Sequence, residues 1–414
     1  MLSTAKRLSA KSSQFPSRLK PLLPTKRLPA LNSQFTPNGR LPLPTNRFSA
    51  PYSQFQSTRT PRVPINEESL GPQSQKGKVF AVTGGTRNAS YELSRILYGA
   101  GARVYIMGPS KAEAEAAIQQ IEDKYAFRAD KDVGSVHFIP LRLEDLESVQ
   151  SAAMALESKE DRLDGLFCNA STPIIPGPAQ TEQGFEWHLG VNCIGHVLLE
   201  NLLRTILSDT AQTAPQDSVR VLWSSDILVP RGPPPGGITL ARLNKQTKYP
   251  WNTHPASKAG MRHAYENYAI SKAAMWFAAS QLSKRWAKDT GVLNVAAEPG
   301  TCLSLYDEPT LDFGYHPGLD RADPNVGALK LWMGLSKDVT MDDAVQGRYA
   351  VRPGAWERHP RQDLVLAQKG EEEGGTGKAK AFMDWVESML APYTCRCDGA
   401  AVAWSRVDHR LGLW

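Results

Sequence analysis

No stretch of this 414-residue chain approaches eighteen uninterrupted apolar residues, which argues against a membrane-spanning helix. Cysteine is scarce and unpatterned. Cys168, Cys193, Cys302, Cys395 and Cys397 form an odd set, and Cys395 with Cys397 has no second pair to complete a metal site. Neither a disulfide framework nor a bound metal is expected, and plain thiols in a reducing, cytoplasmic setting are the default. Acid is missing from the first 66 residues, which hold eleven of the 48 Lys and Arg. The remainder therefore carries 37 basic against 42 acidic residues, a net −5, so the overall +6 gives the rest of the chain no face for nucleic acid.

The acid-free stretch is crowded with proline, and it repeats. RLSAKSSQFPSRLKPLLPTK starts at residue 7, RLPALNSQFTPNGRLPLPTN at 27 and RFSAPYSQFQSTRTPRVPIN at 47, a period of 20. Frequent proline excludes a helix or a central strand, and the little apolar surface in each copy cannot offset the entropy of ordering. Residues 1–66 are thus expected to form a disordered arm. Its Arg-, Lys- and Ser-rich start fits either a mitochondrial transit peptide or an untargeted tail.

From Lys78 onward, short apolar runs alternate with helix-length amphipathic segments. Strands are expected at 78–82, 102–107, 135–141, 163–168, 219–223 and 291–297. Continuous apolar strands separated by helices imply an α/β protein, a doubly wound parallel sheet with helices on both faces. Ligands in such sheets bind beyond the carboxyl ends of the strands. Four segments fall there: TGGTRNAS (83–90), CNAS (168–171), SSD (224–226) and EPGTCLS (298–304).

Between the last two strands lies a helical pattern in which Tyr268 and Lys272 are four residues apart and so share a face. An ammonium beside a phenol favours the phenolate and brings a poor acid toward the working pH range. The ordered set Thr83-Gly84, Asn169-Ala170, Asn192, Ser224-Ser225, Tyr268-x-x-x-Lys272 and Pro299-Gly300 resembles the short-chain dehydrogenase/reductase family over about residues 76–305. Three further stretches, FEWHLGVNCIGHVLLENLL, GGITLARLNKQ and EEEGGTGKAKAFMDWVE (371–387), are similar to its retinol-dehydrogenase-like branch and to fungal oxidoreductases named after a blue-light-induced gene. The resemblance reaches about residue 393.

It implies a single Rossmann-like domain over 67–394 with a tail at 395–414, and an NAD(P)-dependent exchange between a carbonyl and its alcohol. Tyr268 would transfer the proton, Ser225 hold the reacting oxygen, Lys272 lower the Tyr pKa and bind the nicotinamide ribose, and Asn192 hold a water linking Lys272 to solvent. Thr83, Gly84, Arg87, Asn88, Ala89, Asn169, Ala170, Pro299, Gly300 and Ser304 would bind the cofactor together with Tyr268 and Lys272. A homodimer formed through the helices beside Tyr268 is also implied.

The chain departs from that pattern in its phosphate loop. Asn88 and Ser90 stand where the second and third glycines belong, and Asn is the non-glycine residue that best tolerates positive φ. Arg142 replaces an acidic residue expected at the adenine. The second strand ends without Asp or Glu at Gly108 or Pro109, while Arg87, Lys111 and Arg142 supply positive charge, so NADP(H) is expected over NAD(H). Segments 226–264 and 305–360 are expected to cover the pocket, with Trp251, Tyr306, Phe313, Tyr315 and Trp332 lining it for an apolar carbonyl compound. A role in fungal secondary metabolism fits this reading. The altered loop keeps a second one open, a non-catalytic or nucleotide-sensing member of the same family.

Overall fold

The computed structural model describes residues 70–127, 133–175, 177–226, 228–243, 258–298, 330, 333–352 and 354–394. The arm at 1–66 and the tail at 395–414 lie outside the described residues. Eight strands form one sheet: β1 (Val79–Thr83), β2 (Arg103–Gly108), β3 (Ser135–Pro140), β4 (Gly165–Cys168), β5 (Arg220–Ser224), β6 (Leu293–Ala297), β7 (Tyr349–Arg352) and β8 (Ala355–Trp356). Their order is β3-β2-β1-β4-β5-β6-β7-β8, with every pairing parallel except β7 with β8.

The sheet is covered on both faces because its strands are apolar on both. In β1, Val79 and Ala81 pack into one core, while Phe80 and Val82 pack into the other. Alternate side chains point to opposite faces, so an unbroken apolar run requires cover on each side. The first core receives α3 (Leu146–Glu157), α4 (Trp187–Leu189), α5 (Gly195–Thr213), α6 (Leu240–Leu243) and α7 (Lys258–Thr290); the second receives α1 (Asn88–Gly99) and α2 (Lys111–Tyr125). The chain runs outward from β1 to β3 on one side and from β4 to β7 on the other. A crevice therefore opens beyond the carboxyl ends of β1 and β4, where the winding reverses.

The six expected strands are present, and β7 and β8 are additional. They fall inside segment 305–360, expected as a pocket cover, so its last part is sheet edge instead. Arg220, at the start of β5, fixes the chain leading to that edge. Its buried guanidinium donates to the carbonyls of Met333 (2.6 Å), Ser336 (2.6 Å) and Val339 (3.1 Å).

Segment 226–264 also divides. Pro233 and Pro234 accept from Arg361 at 2.9 and 2.7 Å, and the amide of Gly236 donates to Asp363 at 2.6 Å. These bonds hold the proline-rich stretch against the helix Gln362–Gln368. Leu228, earlier in the segment, packs beside Tyr268. The helix Lys378–Thr394 lies along α5 and α7, with Phe382, Met383, Val386 and Leu390 buried and Arg285 of α7 paired with Asp384 and Glu387, each at 2.7 Å. Among the described residues, no helix is long and apolar enough to cross a membrane.

Candidate active site

Thr83 fastens the crevice. Its buried hydroxyl accepts the backbone amides of Asn169 and Ala170, both at 2.9 Å, and so locks the turn after β1 against the turn after β4. It also contacts Nε2 of His196 at 2.9 Å, while Nδ1 of that ring lies 2.8 Å from the Asn192 carbonyl. A carbonyl can only accept, so Nδ1 carries the proton and Nε2 accepts from Thr83. Burial lowers the His196 pKa to about 4, which keeps the ring neutral in this bridge.

Glycine is required at position 84. Its φ is +68°, and a Cβ there would lie 3.1 Å from the Cα of Ala170. Asn88 adopts φ +52°, the left-handed conformation that a substituted loop demands. It opens α1 together with Ala89, and the first turn of that helix carries no acidic residue. A helix amino terminus offers unpaired amides and a favourable dipole to an anion. Asn169 adds a buried amide nitrogen, Nδ2, with no hydrogen-bond partner among the described residues, while its Oδ1 accepts from Ser224. A bare glycine cradle, an acid-free helix start and an unspent amide donor fit an anionic dinucleotide.

The charges expected near the adenosine end are already engaged. Arg87 pairs with Glu113 at 2.6 Å, and Lys111 with Glu115 at 3.5 Å. Arg142 lies within 3.0 Å of Asp145, 3.5 Å of Glu144 and 3.7 Å of Glu182, so its positive charge is outnumbered. Pro299, Gly300 and Ser304 lie outside the described residues, as do Trp251, Tyr306, Phe313, Tyr315 and Trp332.

Tyr268 and Lys272 occupy successive turns of α7 and are both buried. Lys272 Nζ stands 5.5 Å from the centre of the Tyr268 ring and donates to the Ser224 carbonyl at 3.3 Å. Burial lowers the Lys272 pKa to about 8, against the opposing pull of Asp226. Leu228, Ala269, Ile174 and Tyr265 pack with the Tyr268 ring, and the His188 ring meets it edge-on with centroids 6.0 Å apart.

Ser225 and Asn192 are each hydrogen-bonded to other groups of the chain. Ser225 donates to the backbone carbonyl of Lys272 at 2.9 Å, and Asp226 is the residue whose Oδ2 receives the Tyr268 hydroxyl, also at 2.9 Å. Both side chains therefore face α7, Ser225 reaching its backbone at Lys272 and Asp226 reaching the Tyr268 hydroxyl. Asn192 sits in a π-helical turn, Gly190–Ile194. Its Oδ1 accepts from the Thr172 amide and its Nδ2 donates to Ser271, both at 2.9 Å. Asp226, His196 and Thr172 were not singled out from sequence. Asp226 is the third residue of SSD, directly after the two serines.

Known proteins share this architecture. A family model described as short chain dehydrogenase matches residues 78–212. The curated short-chain dehydrogenase/reductase iacJ of Pestalotiopsis fici is 32% identical over 334 residues, covering 79% of this chain and 94% of that protein. A short-chain dehydrogenase/reductase of Phomopsis amygdali is 34% identical over 339 residues, covering 80% and 95%. Among solved structures, an uncharacterised protein of Mycobacterium paratuberculosis covers 79% of this chain and 98% of its own at 21% identity and a TM-score of 0.52, a likeness of fold.

Proposed function

We propose, from the premise that the chain belongs to the short-chain dehydrogenase/reductase family, that this oxidoreductase interconverts an apolar ketone or aldehyde and its alcohol with NADP(H). The observation that carries the reading is Tyr268 beside Lys272 within the apolar group of Ile174, Leu228 and Tyr265, near the carboxyl ends of the strands. A nicotinamide cofactor bound along the crevice would supply or accept the hydride. Thr83, Gly84, Asn88, Ala89, Asn169 and Ala170 would hold it, the loop amides facing its phosphates.

Tyr268 would give its proton to the reacting oxygen in reduction and take it back in oxidation. Lys272, as an ammonium, favours the phenolate left behind. Apolar walls suit a substrate whose carbonyl is its main polar group. Fungal relatives of similar length support a place in secondary metabolism.

For the cofactor, Arg87 supports NADP(H), since a guanidinium matches a 2′-phosphate. Glu113 now holds that guanidinium and would have to yield to the phosphate. Fluorescence titration with NADPH and NADH tests the preference. Tighter NADPH binding is expected, with Glu113→Gln widening the gap, and tighter NADH binding would contradict it. Turnover of a carbonyl panel by wild type and Tyr268→Phe tests the chemistry. Cofactor binding without Tyr268-dependent turnover would identify the non-catalytic alternative.

A further inference from the structure

We propose that Asp226 is the proton partner of Tyr268: in reduction it returns a proton to the Tyr268 oxygen from its carboxylic acid form, and in oxidation its carboxylate accepts one. The inference rests on the reading of Tyr268 as the proton donor.

Position comes first. Asp226 follows the carboxyl end of β5, and its two oxygens have separate tasks: Oδ2 receives the Tyr268 hydroxyl at 2.9 Å, and Oδ1 receives the Leu228 amide at 2.9 Å. Its backbone carbonyl accepts from the Tyr349 hydroxyl at 3.1 Å and from the Val229 amide at 3.1 Å. The Leu228 amide on Oδ1 and the Tyr268 hydroxyl on Oδ2 hold the carboxyl toward α7, while Tyr349 of β7 and the Val229 amide hold its backbone carbonyl.

The bonds of Asn192 and Ser225 run to other groups. The Asn192 carbonyl accepts from His196, its side-chain amide is spent on Thr172 and Ser271, and Ser225 donates to the Lys272 carbonyl. Asp226 is, among the described residues, the carboxyl in direct contact with the oxygen whose proton moves.

The groups facing it decide which form it takes. Burial raises the Asp226 pKa and so favours the acid, while the Lys272 charge, the Leu228 amide and the Tyr268 hydroxyl oppose that rise. Tyr265 and Tyr349 also face it and are neutral; burial raises the first to about 12 and the second well above the usual phenol value. The His188 ring meets the Tyr268 ring edge-on, with centroids 6.0 Å apart. An ordinary carboxylic acid is a stronger acid than an ordinary phenol, which favours transfer from the acid to a phenolate.

The step balances. The carbonyl carbon gains hydride, its oxygen takes the Tyr268 proton, Tyr268 Oη takes the Asp226 proton, and Asp226 takes one from solvent. The sum is one hydride and one proton added across C=O. Reversal gives the oxidation.

The experiment is the pH profile of reduction for wild type, Asp226→Asn and Tyr268→Phe at saturating cofactor, with formate added to Asp226→Gly. The expected results are a loss in kcat of about 100-fold for Asp226→Asn at unchanged Kd for NADPH, disappearance of one ionisation from its profile, and partial recovery of Asp226→Gly by formate. Wild-type kcat and profile in Asp226→Asn, with Tyr268→Phe inactive, would overturn the inference and leave the proposed function standing. Full turnover by Tyr268→Phe would overturn the function and, with it, the inference. A readout free of turnover is the Tyr268-dependent phenolate absorbance, taken as wild type minus Tyr268→Phe. Asp226→Asn is expected to shift its titration midpoint, and an unchanged midpoint counts against the contact.

Discussion

Asn88 shows how a single residue accommodates the turn between β1 and α1. Its φ of +52° is the conformation a glycine would take freely, and an ordinary L-residue there costs about 1 kcal/mol. Asn88→Gly is expected to tighten cofactor binding and Asn88→Ala to lower the melting temperature, both measurable by titration and thermal melts. His196 gives a second test. Its folded pKa of about 4 lies below the ordinary 6.5, so the folded state disfavours the proton. That contribution is fully present above pH 6.5 and is lost as pH falls toward 4, on the order of 3 kcal/mol. Melting curves at pH 7 and pH 4.5 should therefore diverge more for wild type than for His196→Gln.

At this scale Tyr268 and Lys272 were legible because a helix fixes the four-residue spacing. The contact between Asp226 and the Tyr268 hydroxyl was not, because the strand stops at Ser224 and no periodicity states how the next two residues turn.

Among the elements, β1, β2, β4, β5 and β6 could be read from apolar runs, since strands buried on both faces leave no other pattern, and the half-exposed edge strand β3 from its own shorter run. The edge strands β7 and β8 could not. They are short, their pairing contains an irregularity between Ala350 and Arg352, and they lie in sequence that reads as loop. What holds them is remote in the chain. Arg220 spends its guanidinium on three carbonyls of segment 333–339, and burial lowers its pKa to about 10. Arg220→Met would leave those carbonyls without their donor, at a cost of about 3 kcal/mol. A fall in urea midpoint with the m-value unchanged is the expected result.

For the whole molecule, the helix Lys378–Thr394 is the decisive addition. The family resemblance assigns the helices beside Tyr268 to a dimer, yet here α5 and α7 carry this helix of the same chain, pinned through Arg285. Light scattering on the eluted protein should accordingly give the mass of one 45.5 kDa chain rather than two. The sequence carried the signal for this segment, EEEGGTGKAKAFMDWVE, without saying where it docks, because an amphipathic stripe states that a face is buried and not against which partner. The central claim remains the chemistry at Tyr268. The most direct measurement is the rate of NADPH oxidation with a saturating apolar carbonyl substrate by wild type and by Tyr268→Phe. A loss of about 1,000-fold with the Kd for NADPH within about threefold is predicted; equal rates in the two proteins would contradict the account.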